Sequence, residues 1–349
     1  METSFISGII ITVLAGLIMG SSPTPLKFLK EFRYEHFGFI SMLVSLVLIP
    51  WGITLILCPD LSSVFSELDW GLILKANIFS MAWGIAQVLA LLCFIRIGVS
   101  LTYGILCAIG ASVGVIVPMI FKASGIFSES PDLWSPGGLV ILGGAFVMII
   151  GVSLAAVAGE KRERILQESQ DMKHKGNHNS FYTGLAMVVV AGILSAGWGF
   201  AFAYSQGPIV ETLIHNGSAE LPSKIAVWAF VLFGAALINI LYPAYLLTRN
   251  KSWKVISAHG RDTLLSVIYG LLFFIPSILL GHGMLLLGAS GASVGFGITQ
   301  ASIIIGGQIV GFASGEWRGI SGMPRKYIYR AIVILVISMA ILGVGNMLS

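Results

Sequence analysis

The feature that most constrains this chain is a succession of ten apolar segments, each long enough to cross a lipid bilayer as a helix. A bilayer core requires about 20 apolar residues per helix, and only 10% of the 349 residues are charged. Soluble domains carry about 25% charged residues, so a soluble globular protein is excluded. The segments lie at roughly 5–22, 37–57, 72–95, 99–121, 138–158, 182–204, 225–247, 264–286, 291–312 and 327–347. The sequence therefore predicts an all-α integral membrane protein whose ten transmembrane helices contact the lipid bilayer.

Positive charges are distributed unequally between alternate loops. One set of loops carries 16 of the 20 Lys and Arg residues, and the other set carries only Lys122 and Lys224. Loops enriched in Lys and Arg are cytoplasmic, so both termini are predicted outside. The first apolar segment has no positive residue before it, so we interpret it as a retained helix, not a signal peptide. The net charge of +4, without a clustered basic face, gives no indication of nucleic-acid binding.

Short internal similarities indicate two related halves. Residues 13–20 resemble 189–196, and 110–114 resemble 291–295. Because each half holds five spans, the second copy must enter the membrane from the opposite side, as in the inverted repeats of many secondary transporters. The sequence thus predicts a first five-helix repeat at 1–158, a charged cytoplasmic linker at 159–180 and a second five-helix repeat at 181–349. We interpret the mixed charges of the linker as a solvated tether.

Polar side chains inside the spans indicate an uncharged cavity. In the third span Asn77, Ser80 and Gln87 recur at helical spacing beside Trp83, and a polar stripe at membrane depth must face protein or water. Similar positions in other spans complete the predicted substrate-binding set with Tyr103, Trp198 and Gln300. Interhelical hydrogen bonds are the alternative for the amides, and core filling or an interfacial belt is the alternative for the tryptophans.

The composition of this predicted cavity favours a small neutral sugar. Amides, hydroxyls and rings suit a polyhydroxylated ligand, whereas an anionic substrate would require Arg or Lys. Ionisable groups at membrane depth are functional candidates, so His282, near the end of the eighth span, and Glu211, after a break at 206–208, are predicted to carry protons. The alternatives are a histidine bonded to backbone and a solvated loop acid.

Other classes of function find little support in the sequence. It contains no metalloprotease, P-loop or nucleophile-elbow motif, so an enzyme is not expected. The three cysteines have no disulfide or metal-ligand spacing, and neither a cofactor nor a metal is predicted. An exporter or exchanger of another small metabolite remains an alternative. A membrane receptor or channel component is a remote one, because there is no soluble sensing domain and no acidic filter. The oligomeric state is left open between monomer and homodimer.

Several segments carry a resemblance to a known family. They are Leu26-Lys-Phe-Leu-Lys30 with Leu48-Ile-Pro-Trp-Gly52, Ala82-Trp-Gly-Ile85, Gly192-Ile-Leu-Ser-Ala-Gly197 and Gly315-Glu-Trp317. In their order and spacing the chain resembles the L-rhamnose/proton symporter family of the drug/metabolite transporter superfamily. The resemblance implies a five-plus-five inverted bundle in the bacterial inner membrane. It also implies proton-driven uptake of a sugar, most simply L-rhamnose.

The resemblance extends to single residues. Trp83 and Gly84 match the family's Trp-Gly on the third span, and Gln87 stands where an amide is usual. Glu211 falls where a Glu follows the Pro of the family pattern. The ninth span departs from that pattern, because residues 290–295 are small and uncharged here.

Overall fold

The computed structural model describes residues 2–97, 99–124, 130–169, 178–288 and 294–349, which form helices and no strand. The α-helices of this described part are α1 (Glu2–Ser21), α2 (Tyr34–Leu43), α3 (Ile49–Leu57), α4 (Leu61–Glu67), α5 (Trp70–Ile97), α6 (Val99–Ile120), α7 (Pro136–Ser169), α8 (His178–Ser195), α9 (Gly197–His215), α10 (Glu220–Val231), α11 (Phe233–Arg249), α12 (Trp253–Ala258), α13 (Gly260–Leu286), α14 (Phe296–Ala313) and α15 (Met323–Met347).

Most of these helices are long and apolar enough to cross a membrane. The described residues contain eight such segments, or nine if α10 and α11, which meet at a bend of 50°, form one span. In α6, residues Ile105–Ile120 are apolar but fall short of the required length. The prediction of an all-α, multi-pass membrane protein is confirmed, and the count of ten spans stays a prediction.

A proline divides the second span. Pro50 lacks an N–H, and its ring displaces the carbonyl four residues earlier. The turn before it, Val44–Leu48, accordingly widens into a π-helix, in which the Ile49 N–H donates to the Val44 carbonyl. The span therefore consists of α2, this π-turn and α3.

The charged linker is partly helical. Residues 159–169 continue α7 instead of forming a separate tether. Arg162 fixes this extension, because its Nε donates to the Glu316 carbonyl at 3.0 Å and its guanidinium pairs with the Glu316 carboxylate at 3.1 Å. Residues 170–177 of the predicted linker lie outside the described residues.

The sixth span is longer than predicted. Helix α9 runs through Pro208 to His215, so the break predicted at 206–208 is wrong. The actual interruption is the single turn residue Ala196 between α8 and α9. Glu211 consequently lies on a helix and not in a loop.

The chain divides into two compact units. Unit 1 contains residues 1–20, 86–196 and 283–349, and unit 2 contains 21–85 and 197–282. Each unit combines stretches from both halves of the chain, because a unit groups residues that pack together and not residues of one sequence repeat. The predicted division into two inverted repeats therefore stays a prediction.

Within unit 1, small residues permit close helix packing. Helix α7 lies along α15, and a Cβ atom added at Gly144 or Gly151 would come within about 3 Å of the Leu342 or Leu335 side chain. The core of this unit also includes buried residues of α5, α6, α8 and α14.

Within unit 2, α11 packs against α2, and α10 packs against α9 and α3. Its largest fully buried side chains include Trp228, Phe202, Phe274, Leu46 and Ile209. Unit 2 is thus an aromatic-rich core, and it holds the site described next.

Candidate functional site

Five aromatic side chains from four helices of unit 2 form a tryptophan cluster. Its members are Trp83 of α5, Trp198 and Phe202 of α9, Trp228 of α10 and Phe273 of α13. Ring centroids lie 4.4 Å apart for Trp83 and Trp198, 5.0 Å for Trp198 and Trp228, and 4.5 Å for Phe202 and Trp228. The last two pairs are stacked, at interplanar angles of 28° and 22°.

The local sequence explains why these rings meet. Trp198, Phe202 and Gln206 recur every four residues and so lie on one side of α9. At Gly197 a Cβ atom would lie only 2.1 Å from the Phe79 carbonyl oxygen of α5, and at Gly281 of α13 it would lie 2.7 Å from Phe202. The two glycines therefore allow α5 and α13 to approach α9 closely.

Four buried polar atoms in and around the cluster have no hydrogen-bond partner among the described residues: Trp198 Nε1, Trp228 Nε1, Gln206 Oε1 and His282 Nδ1. Each such group costs about 1–3 kcal/mol, and native structures contain few of them. The two indole N–H groups belong to stacked rings of the cluster, so a polar ligand or water that reached them would satisfy both. Indole N–H donors beside ring faces suit a molecule that presents both hydroxyls and apolar C–H groups.

The cluster is closed in this conformation. Trp228 has no exposed surface, and Trp198 is only 4% exposed. A ligand could reach the indole N–H groups only after at least one of these rings has moved.

Asn77 and Ser80 hold the bend between α10 and α11. The Asn77 Oδ1 accepts the Gly234 N–H at 2.7 Å, and its Nδ2 donates to the Phe230 carbonyl at 2.8 Å. Ser80 Oγ accepts the Ala235 N–H at 3.2 Å. These bonds satisfy backbone groups that a helix end leaves without an intrahelical partner.

Those bonds occupy much of the polar capacity of Asn77 and Ser80. The second hydrogen of Asn77 Nδ2 goes to the Ile73 carbonyl at 2.9 Å, and Ser80 Oγ donates to the Asn77 carbonyl at 3.1 Å. A sugar contact by either residue stays a prediction, and it would require these bonds to be exchanged.

Three residues of the predicted substrate-binding set belong to unit 1. Gln87 is partly buried and Gln300 is buried, and neither amide has a hydrogen-bond partner in the described part of the chain. Tyr103 is in α6, but its side chain lies outside the described residues. Their role in binding stays a prediction.

The two predicted proton carriers have different surroundings. Glu211 is exposed on α9. His282 is partly buried, with Nδ1 inaccessible to solvent, and it follows Gly281, which lies against the tryptophan cluster. It also interacts electrostatically with Glu220, whose carboxylate pairs with Lys224. Burial beside the cluster supports His282 more than Glu211.

Sequence reasoning missed four residues of this candidate site. Trp228 and Phe273 were not selected because no polar stripe was predicted in their spans, and Phe273 carries no further signal in the sequence. Phe202 and Gln206 follow Trp198 at helical spacing but were not selected for the substrate-binding set. A tryptophan within an apolar span was the available signal for Trp228. The spacing from Trp198 was the signal for Phe202 and Gln206.

Comparisons with known proteins identify the family of the chain. Residues 1–348 match the sequence model of the family described as L-rhamnose-proton symport protein (RhaT). The proteins named L-rhamnose-proton symporter from Salmonella enteritidis, Salmonella gallinarum and Salmonella paratyphi B are each 26% identical over 328 residues, which is 92% of this chain and 92% of each relative. The chain therefore belongs to the L-rhamnose-proton symport protein family, a family of transporters and not of enzymes, as its sequence predicted.

Proposed function

We propose that this chain imports L-rhamnose together with protons across the bacterial inner membrane by alternating access. Its family supports the reaction, and the tryptophan cluster is the observation that supports the location of the sugar. Two indole N–H groups and their ring faces are buried together without a polar partner among the described residues. Sugar hydroxyls would accept those hydrogens, and the apolar face of the sugar would stack on a ring.

We infer that the complete fold has ten spans in a five-plus-five inverted repeat, with both termini outside. Eight helical segments of the described residues pass the length and hydropathy criteria, and the bent pair α10 and α11 raises the number of candidate spans to nine. Helix α6, at the predicted fourth span, would bring the number to ten. The concentration of 16 of the 20 Lys and Arg residues in one set of loops supports the orientation.

The bend at Leu232 gives the proposed site a means of opening. Trp228 lies in the last turn of α10, one turn before the bend. Rotation of α10 relative to α11 about the bend would separate Trp228 from Trp198, which is a hinge motion at an element boundary. Gln87, Gln300 and His282 remain candidates for further contacts with sugar or proton.

Transport by purified protein in proteoliposomes tests this function. Labelled L-rhamnose should exchange across the membrane, unlabelled L-rhamnose should compete better than other neutral sugars, and an acidic exterior should drive accumulation. Exchange without accumulation would indicate an exchanger instead. Absence of L-rhamnose exchange, with another sugar or metabolite carried, would overturn the assignment of substrate.

The tryptophan site has its own test in Trp228→Phe, which removes the indole N–H but keeps an aromatic ring. A neutral hydrogen bond contributes about 0.5–1.5 kcal/mol, so the Kd for L-rhamnose should rise about 2- to 13-fold. The matched control is Trp253→Phe, because Trp253 is exposed and its Nε1 already donates to Thr248. Equal Kd values for Trp228→Phe and wild type, by equilibrium binding in detergent, would place the sugar elsewhere.

A further inference from the structure

A buried carboxylate and a buried imidazole at the start of α2 lie outside the site described above. Glu35 is 7% exposed and His36 is 3% exposed. Both residues precede the second apolar segment, so no apolar or polar pattern within a span selects them. Buried ionisable groups in a membrane protein are candidates for function.

The contacts of His36 fix where its hydrogen is. Nδ1 accepts the backbone N–H of Arg33 at 3.0 Å, so Nδ1 carries no hydrogen, and the neutral ring must carry it on Nε2. Nε2 is buried and has no hydrogen-bond partner among the described residues. The ring stacks on Phe32, with centroids 5.3 Å apart.

This hydrogen bond caps α2. His36 is the third residue of the helix, and Arg33 is the residue before it. A proton that binds the Nδ1 lone pair turns this acceptor into a donor, so the Arg33 N–H loses its partner. A positive charge is also unfavourable at a helix N-terminus. The cap therefore uses the Nδ1 lone pair, and a proton can bind there only if this hydrogen bond is broken.

Other ionisable groups hold the segment before α2. One oxygen of Asp262, in the first turn of α13, accepts the N–H groups of residues 30, 31 and 32 at 2.8–3.1 Å. Tyr242 of α11 faces the Tyr34 ring at 6.3 Å. His259 bonds to the Val255 carbonyl at 3.1 Å. The charged side chains of the adjoining segments are exposed: Lys30, Glu31, Arg33, Arg249, Lys251, Lys254 and Arg261.

Helix α11 connects this pair to the bend beside the tryptophan cluster. At its start, Gly234 and Ala235 bond to α5 through Asn77 and Ser80. At its end, Asn250 Nδ2 donates to Glu35 Oε1 at 3.0 Å. The helix has 17 residues and is therefore about 25 Å long. A displacement at the bend that moves α11 would reach the residue next to His36.

We propose that His36 is a proton-binding site of the transport cycle. In the conformation described here the cap occupies the Nδ1 lone pair. When the cap of α2 opens, Nδ1 takes a proton that has entered from outside. When the cap re-forms, that proton leaves to the cytoplasmic side, where the assigned topology places the loop before α2. A coupled site needs such a difference between states. The inference rests on the proposed proton symport, because it assigns the proton of that reaction to a residue.

The test is His36→Asn in proteoliposomes. The Asn Oδ1 occupies nearly the position of Nδ1 and can accept the Arg33 N–H, but it does not titrate. Sugar-driven proton uptake, followed with a trapped pH indicator, should fall to the level of protein-free liposomes, while exchange of labelled L-rhamnose between equal pools persists. His215→Asn, at an exposed histidine paired with Glu67, should keep wild-type proton uptake.

Each outcome separates this inference from the proposed function. Wild-type proton uptake per sugar in His36→Asn would overturn the assignment of the proton to His36 and leave symport intact. Exchange without proton uptake by the wild type would refute proton symport itself. If His36→Asn fails to fold, nitrogen-15 chemical shifts of the histidine rings in the wild type replace it. A His36 ring that stays neutral at acidic pH, with and without L-rhamnose, would refute the proposal.

Discussion

Replacing Asn77 by alanine should destabilise the protein by releasing the bend between α10 and α11. The Asn77 amide bonds to one backbone donor and one backbone acceptor of the bend, the Gly234 N–H at 2.7 Å and the Phe230 carbonyl at 2.8 Å. Alanine leaves both groups without this partner. Because no water replaces it at membrane depth, each group remains unsatisfied unless the bend rearranges.

The expected loss lies between two general values. Interhelical hydrogen bonds in membrane proteins average about 0.6 kcal/mol and reach about 1.7 kcal/mol, whereas a buried group left unpaired costs about 1–3 kcal/mol. Both groups here belong to the backbone and cannot turn towards lipid headgroups. The upper part of the first range and the lower part of the second therefore apply, which gives about 2–4 kcal/mol for the two groups together.

Asn239→Ala is the matched control. Asn239 is 2% exposed, but among the described residues its Nδ2 donates only to the Ala235 carbonyl of its own helix, at 3.0 Å. Its loss should cost under about 1 kcal/mol, because no backbone group is left without its helical bond. The assay is the free energy of unfolding in mixed micelles, followed by tryptophan fluorescence. A loss for Asn77→Ala no larger than for Asn239→Ala would refute the role of Asn77 at the bend.

Two further predictions follow from the packing of unit 2 and from the loop charges. Gly281→Ala places a Cβ atom 2.7 Å from Phe202 and should weaken binding of L-rhamnose. Gly207→Ala, with no atom within 4 Å of the added Cβ, should leave binding unchanged. Equal binding by both variants would contradict a site at the cluster. Ser66 and Ser257 are exposed, and each can be replaced singly by cysteine in a protein without native cysteines. The two introduced cysteines should react with an impermeant thiol reagent from opposite sides of the membrane. Reaction from the same side would refute the assigned topology.

Much of the fold could be predicted because lipid imposes a simple constraint. A segment that crosses it must be long and apolar, and every predicted span contains one helix or a consecutive pair. What apolar length cannot show is where a helix bends. Pro50 follows a π-turn that interrupts the second span, whereas α9 continues through Pro208, and the break after Val231 has no proline beside it.

The site was only partly predictable, for a similar reason. Helical spacing correctly placed Asn77 and Ser80 on one face, but it could not say whether that face meets a sugar or another helix. In the structure it meets the backbone of α10 and α11. Trp83 and Trp198 do lie together, and the stacking of Trp198 with Trp228 depends on a long-range approach of helices that no local pattern encodes.

The two ends of α11 show how sugar and proton could be linked without direct contact between them. At the first end Asn77 of α5 accepts the Gly234 N–H, which has no intrahelical partner at the bend. At the second end Asn250 donates to Glu35 beside the cap of α2. Both ends depend on hydrogen bonds that a conformational change can exchange at modest cost, since each contributes only about 0.5–1.5 kcal/mol net. A sugar that enters between Trp198 and Trp228 must displace α10, and a proton that binds His36 must displace the segment before α2. If α11 transmits one displacement to the other, each ligand favours the state that binds its partner, which is the reciprocity that coupled transport requires.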